Sequence, residues 1–165
     1  MAERMELTRP VFFVGFMGAG KTSVARRLAR TCGAASVDMD TYIERREGKK
    51  VKEIFAEGGE TAFRRLETEA LRELGKRSGI ILSTGGGCVT RSENYPLLHQ
   101  NGTIFWLLRS PWKLPSEGRP LSQAESAEAM YARREPMYRR FADVKIDNEG
   151  AIERAVEAIA RKVLL

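Results

Sequence analysis

Residues 15–23, Gly15-Phe16-Met17-Gly18-Ala19-Gly20-Lys21-Thr22-Ser23, have the types and spacing of a loop that grips phosphate. The pattern is G-x-x-x-x-G-K-[ST], and each fixed residue type has a physical task. Glycines let successive backbone N–H groups turn inward on phosphate oxygens with no Cβ in the way. The loop feeds a helix whose unpaired N-terminal N–H groups favour an anion. Lys21 would reach the β- and γ-phosphates of a nucleotide, and the Thr22 hydroxyl would be a magnesium ligand. Two carboxylates follow in Asp38-Met39-Asp40. At positions i and i+2 of a strand end they would point to the same side, toward the loop. Asp38 is then placed to hold magnesium through water, and Asp40 to accept a proton or hydroxyl from a second substrate. Capping of a helix that begins at Thr41 would account for one of the two without any ligand.

Further along the chain, Phe63-Arg64-Arg65-Leu66-Glu67 offers guanidinium groups for an anion, although an Arg-Arg pair on a helix is commonly solvated or paired with a nearby Glu. Thr84-Gly85-Gly86-Gly87 would expose N–H groups at a strand end, where a polar substrate can approach closely. Arg119, in Gly118-Arg119-Pro120-Leu121, has the setting of a lid arginine that enters only when substrate is bound and stabilises the transferring phosphoryl group. His99, the single histidine, is assigned no chemistry.

The elements that must position these groups alternate. Val11 to Val14 reads as a strand, with a helix following Lys21 whose apolar face is Val24, Leu28 and Ala29. Ala34 to Val37 is a second short strand. Residues 41–74 are helical in texture, broken at Gly48 and at Gly58-Gly59. Ile80 to Ser83 and Thr103 to Leu108 are buried strands. A helix over about Ala124 to Tyr138, a strand Val144 to Ile146 and an amphipathic helix Ile152 to Leu165 complete the chain. Strand-helix alternation predicts a parallel sheet covered on both faces. Ligands of such sheets bind at the carboxyl ends of the strands, where the phosphate loop, Asp38, Asp40 and the three glycines would all lie.

Composition narrows the class. The chain of 165 residues is 42% apolar and 30% charged, ordinary for a soluble globular domain. No apolar run reaches the length of about 20 residues that a transmembrane helix needs. Met1 to Arg9 lacks the pattern of a secretory signal and reads as a short frayed leader. Cys32 and Cys88 have no metal-ligand spacing and read as reduced thiols of a cytoplasmic protein. A net charge of +6 fits either nucleic acid or small anions. The arginines are scattered along the chain instead of interleaved with aromatics, which favours a nucleotide plus an acidic metabolite. The phosphate loop fits ATP or GTP, and the Asn-Lys-x-Asp signature that guanine specificity normally shows is missing. Residue types and spacing thus lead to a magnesium-dependent phosphotransferase or hydrolase and leave its acceptor unnamed.

Taken in order, Gly15-x-x-Gly18-x-Gly20-Lys21-Thr22, Asp38-x-Asp40, Phe63-Arg64-Arg65-Leu66-Glu67, Thr84-Gly85-Gly86-Gly87, Arg119-Pro120-Leu121 and Arg134-x-Pro136-x-Tyr138 resemble the shikimate kinase family. The resemblance runs from about residue 10 to 163. It implies a single domain with an α/β fold of P-loop kinase type: three α/β/α layers, a five-stranded parallel sheet, a helical substrate-binding insertion at about 39–74 and a lid at about 109–123. It implies transfer of the γ-phosphoryl group of ATP to the 3-hydroxyl of shikimate, with Mg2+, by a cytoplasmic monomer that binds neither nucleic acid nor membrane. Gly18, Ala19, Gly20, Lys21, Thr22, Ser23 and Arg119 would hold the nucleotide. Lys21, Asp40 and Arg119 would be catalytic, with Asp40 as base, and Thr22 and Asp38 would hold the metal. Asp40, Gly85, Gly86 and Gly87 would meet the acceptor's hydroxyls, while Arg64 and Arg134 would clamp its carboxylate. The segment before Arg119 is short and proline-rich beside the family pattern. Two other readings stay open: a kinase of another small hydroxy acid, and a nucleotide-binding regulatory protein with impaired turnover.

Overall fold

The computed structural model describes residues 6–109 and 126–164. Five strands, β1 (Val11–Val14), β2 (Ala35–Asp38), β3 (Ile80–Ser83), β4 (Thr103–Leu108) and β5 (Val144–Asp147), form one sheet in the order β2-β3-β1-β4-β5. All four pairings are parallel. Parallel neighbours need crossovers, and these run through α1 (Lys21–Cys32), α2 (Met39–Glu47), α3 (Val51–Leu74), α4 (Asn94–His99) and α5 (Ala127–Phe141), while α6 (Ile152–Val163) follows the last strand.

The central strand β1 is apolar throughout because both of its faces are covered. Its side chains alternate between two cores. Val11 and Phe13 join Ile81, Phe105 and Leu107 under α1 and α6. Phe12 and Val14 join Leu82, Ile104 and Trp106 under α2, α3, α4 and α5. The result is the expected three-layer α/β/α arrangement. β1 also lies where the sheet changes direction, with β3 on one side and β4 on the other, so a crevice opens at its carboxyl end.

Several boundaries differ from the sequence reading. Gly33 and Gly48 end α1 and α2 in left-handed conformations, as their positions suggested. The break expected at Gly58-Gly59 is narrower: Gly59 alone is non-helical, with φ 73° and ψ −175°, and the helix resumes at once. α5 runs to Phe141, three residues past Tyr138, with Pro136 inside the helix. A 3-10 turn, Cys88–Thr90, and the short helix α4 follow the triple glycine and were not foreseen. The described part of the leader is tied down: Thr8 N donates to Val163 O at 2.9 Å, and Leu7 forms an antiparallel bridge with Leu164. Among the described residues, no helix is long and apolar enough to cross a membrane.

Candidate active site

The phosphate loop joins β1 to α1. Gly18 and Gly20 have φ of 80° and 92°, values that a side chain would oppose. Gly20 is also the N-cap of α1 and supplies no side-chain cap, and the first turn has no acidic residue. The N–H groups opening α1 are therefore left for a ligand. The loop is braced from the far end of the sheet. Asn148, just after β5, donates from Nδ2 to Ala19 O at 2.7 Å, and a Cβ on Gly20 would lie 2.6 Å from that nitrogen. Lys21 is buried and folds back over its own loop, donating from Nζ to Gly15 O at 2.5 Å and to Phe16 O at 2.9 Å. Burial lowers its pKa to about 8, against the pull of Asp40 and Asp38. Thr22 Oγ1 lies 3.3 Å from Ser83 Oγ at the end of β3, and Ser23 is exposed.

Asp38 and Asp40 both face this loop, but not as two positions of one strand. β2 ends at Asp38, and Asp40 lies in the first turn of α2. The helix starts two residues earlier than the apolar pattern suggested because Asp38 caps it, its Oδ2 accepting from Thr41 N at 3.3 Å and from Thr41 Oγ1 at 2.7 Å. Asp38 is thus a cap and also a wall of the cleft. That cleft, about 280 Å³, is lined by Gly18, Gly20, Lys21, Thr22 and Ser23 on one side and by Asp38, Asp40, Ser83, Thr84, Gly85 and Gly86 on the other. Asp40 Oδ1 is buried without a hydrogen-bond partner among the described residues. Burial and the neighbouring Asp38 raise the Asp40 pKa, while Lys21 and Arg64 oppose the rise.

Arg64, Gly87 and Arg134 do not line that cleft; they adjoin it across Gly85 and Gly86. The triple glycine is a matter of space, since none of the three has positive φ. A Cβ on Gly85 would lie 2.8 Å from Glu67 Oε2 and 3.1 Å from Asp40 Oδ1. One on Gly86 would lie 3.2 Å from Met17 N and 3.6 Å from Arg134 Nη1, and one on Gly87 would run into the Arg64 guanidinium. These contacts gather the phosphate loop, Asp40, Arg64, Glu67 and Arg134 around one short backbone segment.

Arg64 on α3 is 5% exposed and pairs with Glu67 at 2.6 Å and Glu60 at 3.1 Å. Burial works against its charge, but the two carboxylates outweigh it and its pKa rises. Arg134 on α5 is 1% exposed, and its Nε and Nη1 are buried without hydrogen-bond partners among the described residues. A buried guanidinium with unused donors in a fixed plane suits a carboxylate. Arg119 and the rest of the expected lid after Arg109 lie outside the described residues.

Four residues in or behind the site had drawn no assignment: Glu67, Ser83, Tyr138 and Asn148. Glu67 is fully buried, one helical turn from Arg64, with Oε2 unpartnered among the described residues. Burial raises its pKa to about 7 against the attraction of Arg64, and Asp40 adds to the rise. Its i+3 spacing on an otherwise apolar face was the available signal. Tyr138 OH donates to Gly86 O at 2.6 Å. Nothing in the local pattern marks Ser83 or Asn148.

The comparisons with known proteins agree among themselves. A shikimate kinase family model matches residues 17–164. A shikimate kinase of Cupriavidus pinatubonensis is 44% identical over 153 residues, 87% of this chain and 80% of that protein. One of Moorella thermoacetica is 40% identical over 161 residues, 93% of this chain and 91% of the other. A solved structure of shikimate kinase from Acinetobacter baumannii in complex with shikimate matches with a TM-score of 0.88 at 35% identity, covering 93% of this chain and 92% of that one.

Proposed function

The chain belongs to the shikimate kinase family and has that enzyme's activity; we propose that the cleft described above transfers the γ-phosphoryl group of ATP to the 3-hydroxyl of shikimate, with the residues acting as follows. The observation that carries this assignment is the gathering of Lys21, Asp40, Arg64 and Arg134 around Gly85–Gly87. A triphosphate site and an anion site meet there over one buried carboxylate.

The loop N–H groups and Lys21 bind the β- and γ-phosphates, Lys21 exchanging its present carbonyl partners for phosphate oxygens. The Arg64 and Arg134 guanidinium groups hold the acceptor's carboxylate, and the glycine N–H groups meet its hydroxyls. Asp40 accepts the proton of the attacking hydroxyl as the new P–O bond forms and the bond to the β-phosphate oxygen breaks, leaving ADP. Arg119 belongs with the phosphates in this reading. Thr22 and Asp38 would hold Mg2+. They fit a hard cation that prefers oxygen, because Thr41 engages only Oδ2 of Asp38 and Thr22 Oγ1 has only the long Ser83 contact. When bound, the ion would neutralise charge on the phosphates. Both cysteines are buried free thiols, which supports a reducing, cytoplasmic setting.

The test is ADP release measured over shikimate and a panel of polyols and other hydroxy acids. Release dependent on shikimate and on Asp40, with the other acceptors at least about 100-fold poorer in kcat/KM, is expected. Equal turnover of a second hydroxy acid, or none with shikimate, overturns the assignment.

A further inference from the structure

All three carbonyls of the triple glycine are hydrogen-bonded, one of them by a side chain from a distant helix. Two of the three carbonyls are taken locally. Gly85 O accepts from Cys88 N at 3.1 Å, and Gly87 O accepts from Thr90 N at 3.0 Å and Thr90 Oγ1 at 2.6 Å. These bonds come with the 3-10 turn itself. The Gly86 carbonyl has no such local partner and is held by Tyr138 OH at 2.6 Å, 52 residues along the chain. Among the described residues, none of the hydrogen bonds uses the N–H of Gly85, Gly86 or Gly87 as donor. Gly85 and Gly86, which line the cleft, therefore leave their N–H groups to a ligand, while all three carbonyls of the loop are engaged.

An anchor is needed because the peptide between two glycines has little orientation of its own. With no Cβ on either side, its flipped form is sterically open. Tyr138 is well suited to prevent the flip. It is fully buried, and its ring stacks on Trp106 of β4 with centroids 6.0 Å apart and planes at 28°. It also stands one turn beyond Arg134, whose guanidinium neighbours the Tyr138 hydroxyl and whose Nη1 would lie 3.6 Å from a Cβ on Gly86. α5 thus presents the acceptor with a guanidinium and, through Tyr138, with a correctly turned backbone.

We propose that Tyr138 is a positioning residue that sets the polarity of the glycine loop, and that this polarity selects a hydroxyl over an amine at the acceptor's reacting position. The proposal rests on the assignment of Gly85–Gly87 to the acceptor's hydroxyls. Asp40 is an acceptor and the loop a donor, so the group between them must donate to one and accept from the other. A hydroxyl does both, whereas a protonated amine can only donate. Freed from Tyr138, the Gly86 carbonyl turns toward the cleft and offers the amine the acceptor it lacks.

The experiment compares wild type with Tyr138→Phe, measuring by calorimetry the Kd of shikimate and of its analogue bearing an amine at the phosphorylated position, and by kinetics the KM for ATP. The expected result is a loss in the preference for shikimate over the amine of about tenfold, with the KM for ATP within about twofold of wild type. A preference equal to that of wild type, with both ligands weakened in step, overturns the proposal and reduces Tyr138 to a packing role. A 4-aminophenylalanine at position 138 supplies an N–H donor in the same place and must restore the wild-type preference; failure to do so, including where Tyr138→Phe does not fold, also overturns it. Wild type that does not bind shikimate at all sinks the assignment of the acceptor instead, so the two failures are distinguishable.

Discussion

The Arg64 guanidinium donates to one oxygen of Glu67 at 2.6 Å, and the other oxygen of that fully buried carboxylate has no partner among the described residues. Burial therefore prevails over the ion pair, and the Glu67 pKa stands at about 7. A carboxyl whose folded pKa exceeds its unfolded value stabilises the fold when protonated, and that contribution is lost as pH rises from about 4.5 through 7. Relative to Glu67→Gln, wild type should lose up to about 3 kcal/mol over this interval. Thermal unfolding of both proteins from pH 4 to 8 checks it: a Tm difference that does not change with pH removes the claim.

Lys21 gives a pH effect of a different kind. With its pKa near 8, much of it is neutral at pH 8.5, and the approach of phosphates restores the charge. ATP binding at pH 8.5 should take up roughly three-quarters of a proton, read by calorimetry in two buffers of different ionisation enthalpy. Lys21→Met should abolish the uptake and reduce kcat/KM by about 100-fold or more.

Asp40 Oδ1 is buried beside Lys21 and Gly85 without a partner among the described residues, the setting of a general base. Asp40→Asn should lower kcat by about 100-fold or more while the shikimate Kd changes much less. The acid limb of the kcat profile, displaced upward in wild type by burial, should vanish with it. Turnover within a few-fold of normal would take the proton transfer away from Asp40.

Arg134 and Gly87 test the acceptor end separately. Arg134→Ala removes a buried guanidinium with unused donors and should raise the shikimate KM by roughly 30- to 150-fold with the ATP KM little changed.

Gly87→Ala should act on the same constant without touching a charge. The added methyl would occupy the position of the Arg64 guanidinium, which must swing away from the glycine loop. A shikimate KM at least about tenfold higher is expected, with far-ultraviolet circular dichroism unchanged. An unaltered KM would show that Arg64 serves the α3 packing alone.

Much of this layout was legible in the residues because it is local. An apolar strand, a glycine loop and an amphipathic helix announce one another in consecutive positions, and four of the five strands begin or end where the hydrophobic pattern puts them. What was hidden is relational. Asp38 and Asp40 were read as strand neighbours because alternation is a strand rule; a carboxylate that caps a helix moves the boundary between them. Glu67 was visible as a letter in a motif, but its total burial depends on α3 packing against the glycine turn, which no spacing reports. Asn148 touches Ala19 across 129 positions of sequence, and neither end of that hydrogen bond leaves a trace in its own surroundings.

That last hydrogen bond also orders events during synthesis. The nucleotide's cradle opens the chain, yet its brace is supplied only once residue 148 has left the ribosome and β5 has docked beside β4. Until then the phosphate loop of the emerging polypeptide lacks the contact that ties its Ala19 carbonyl to the far side of the sheet.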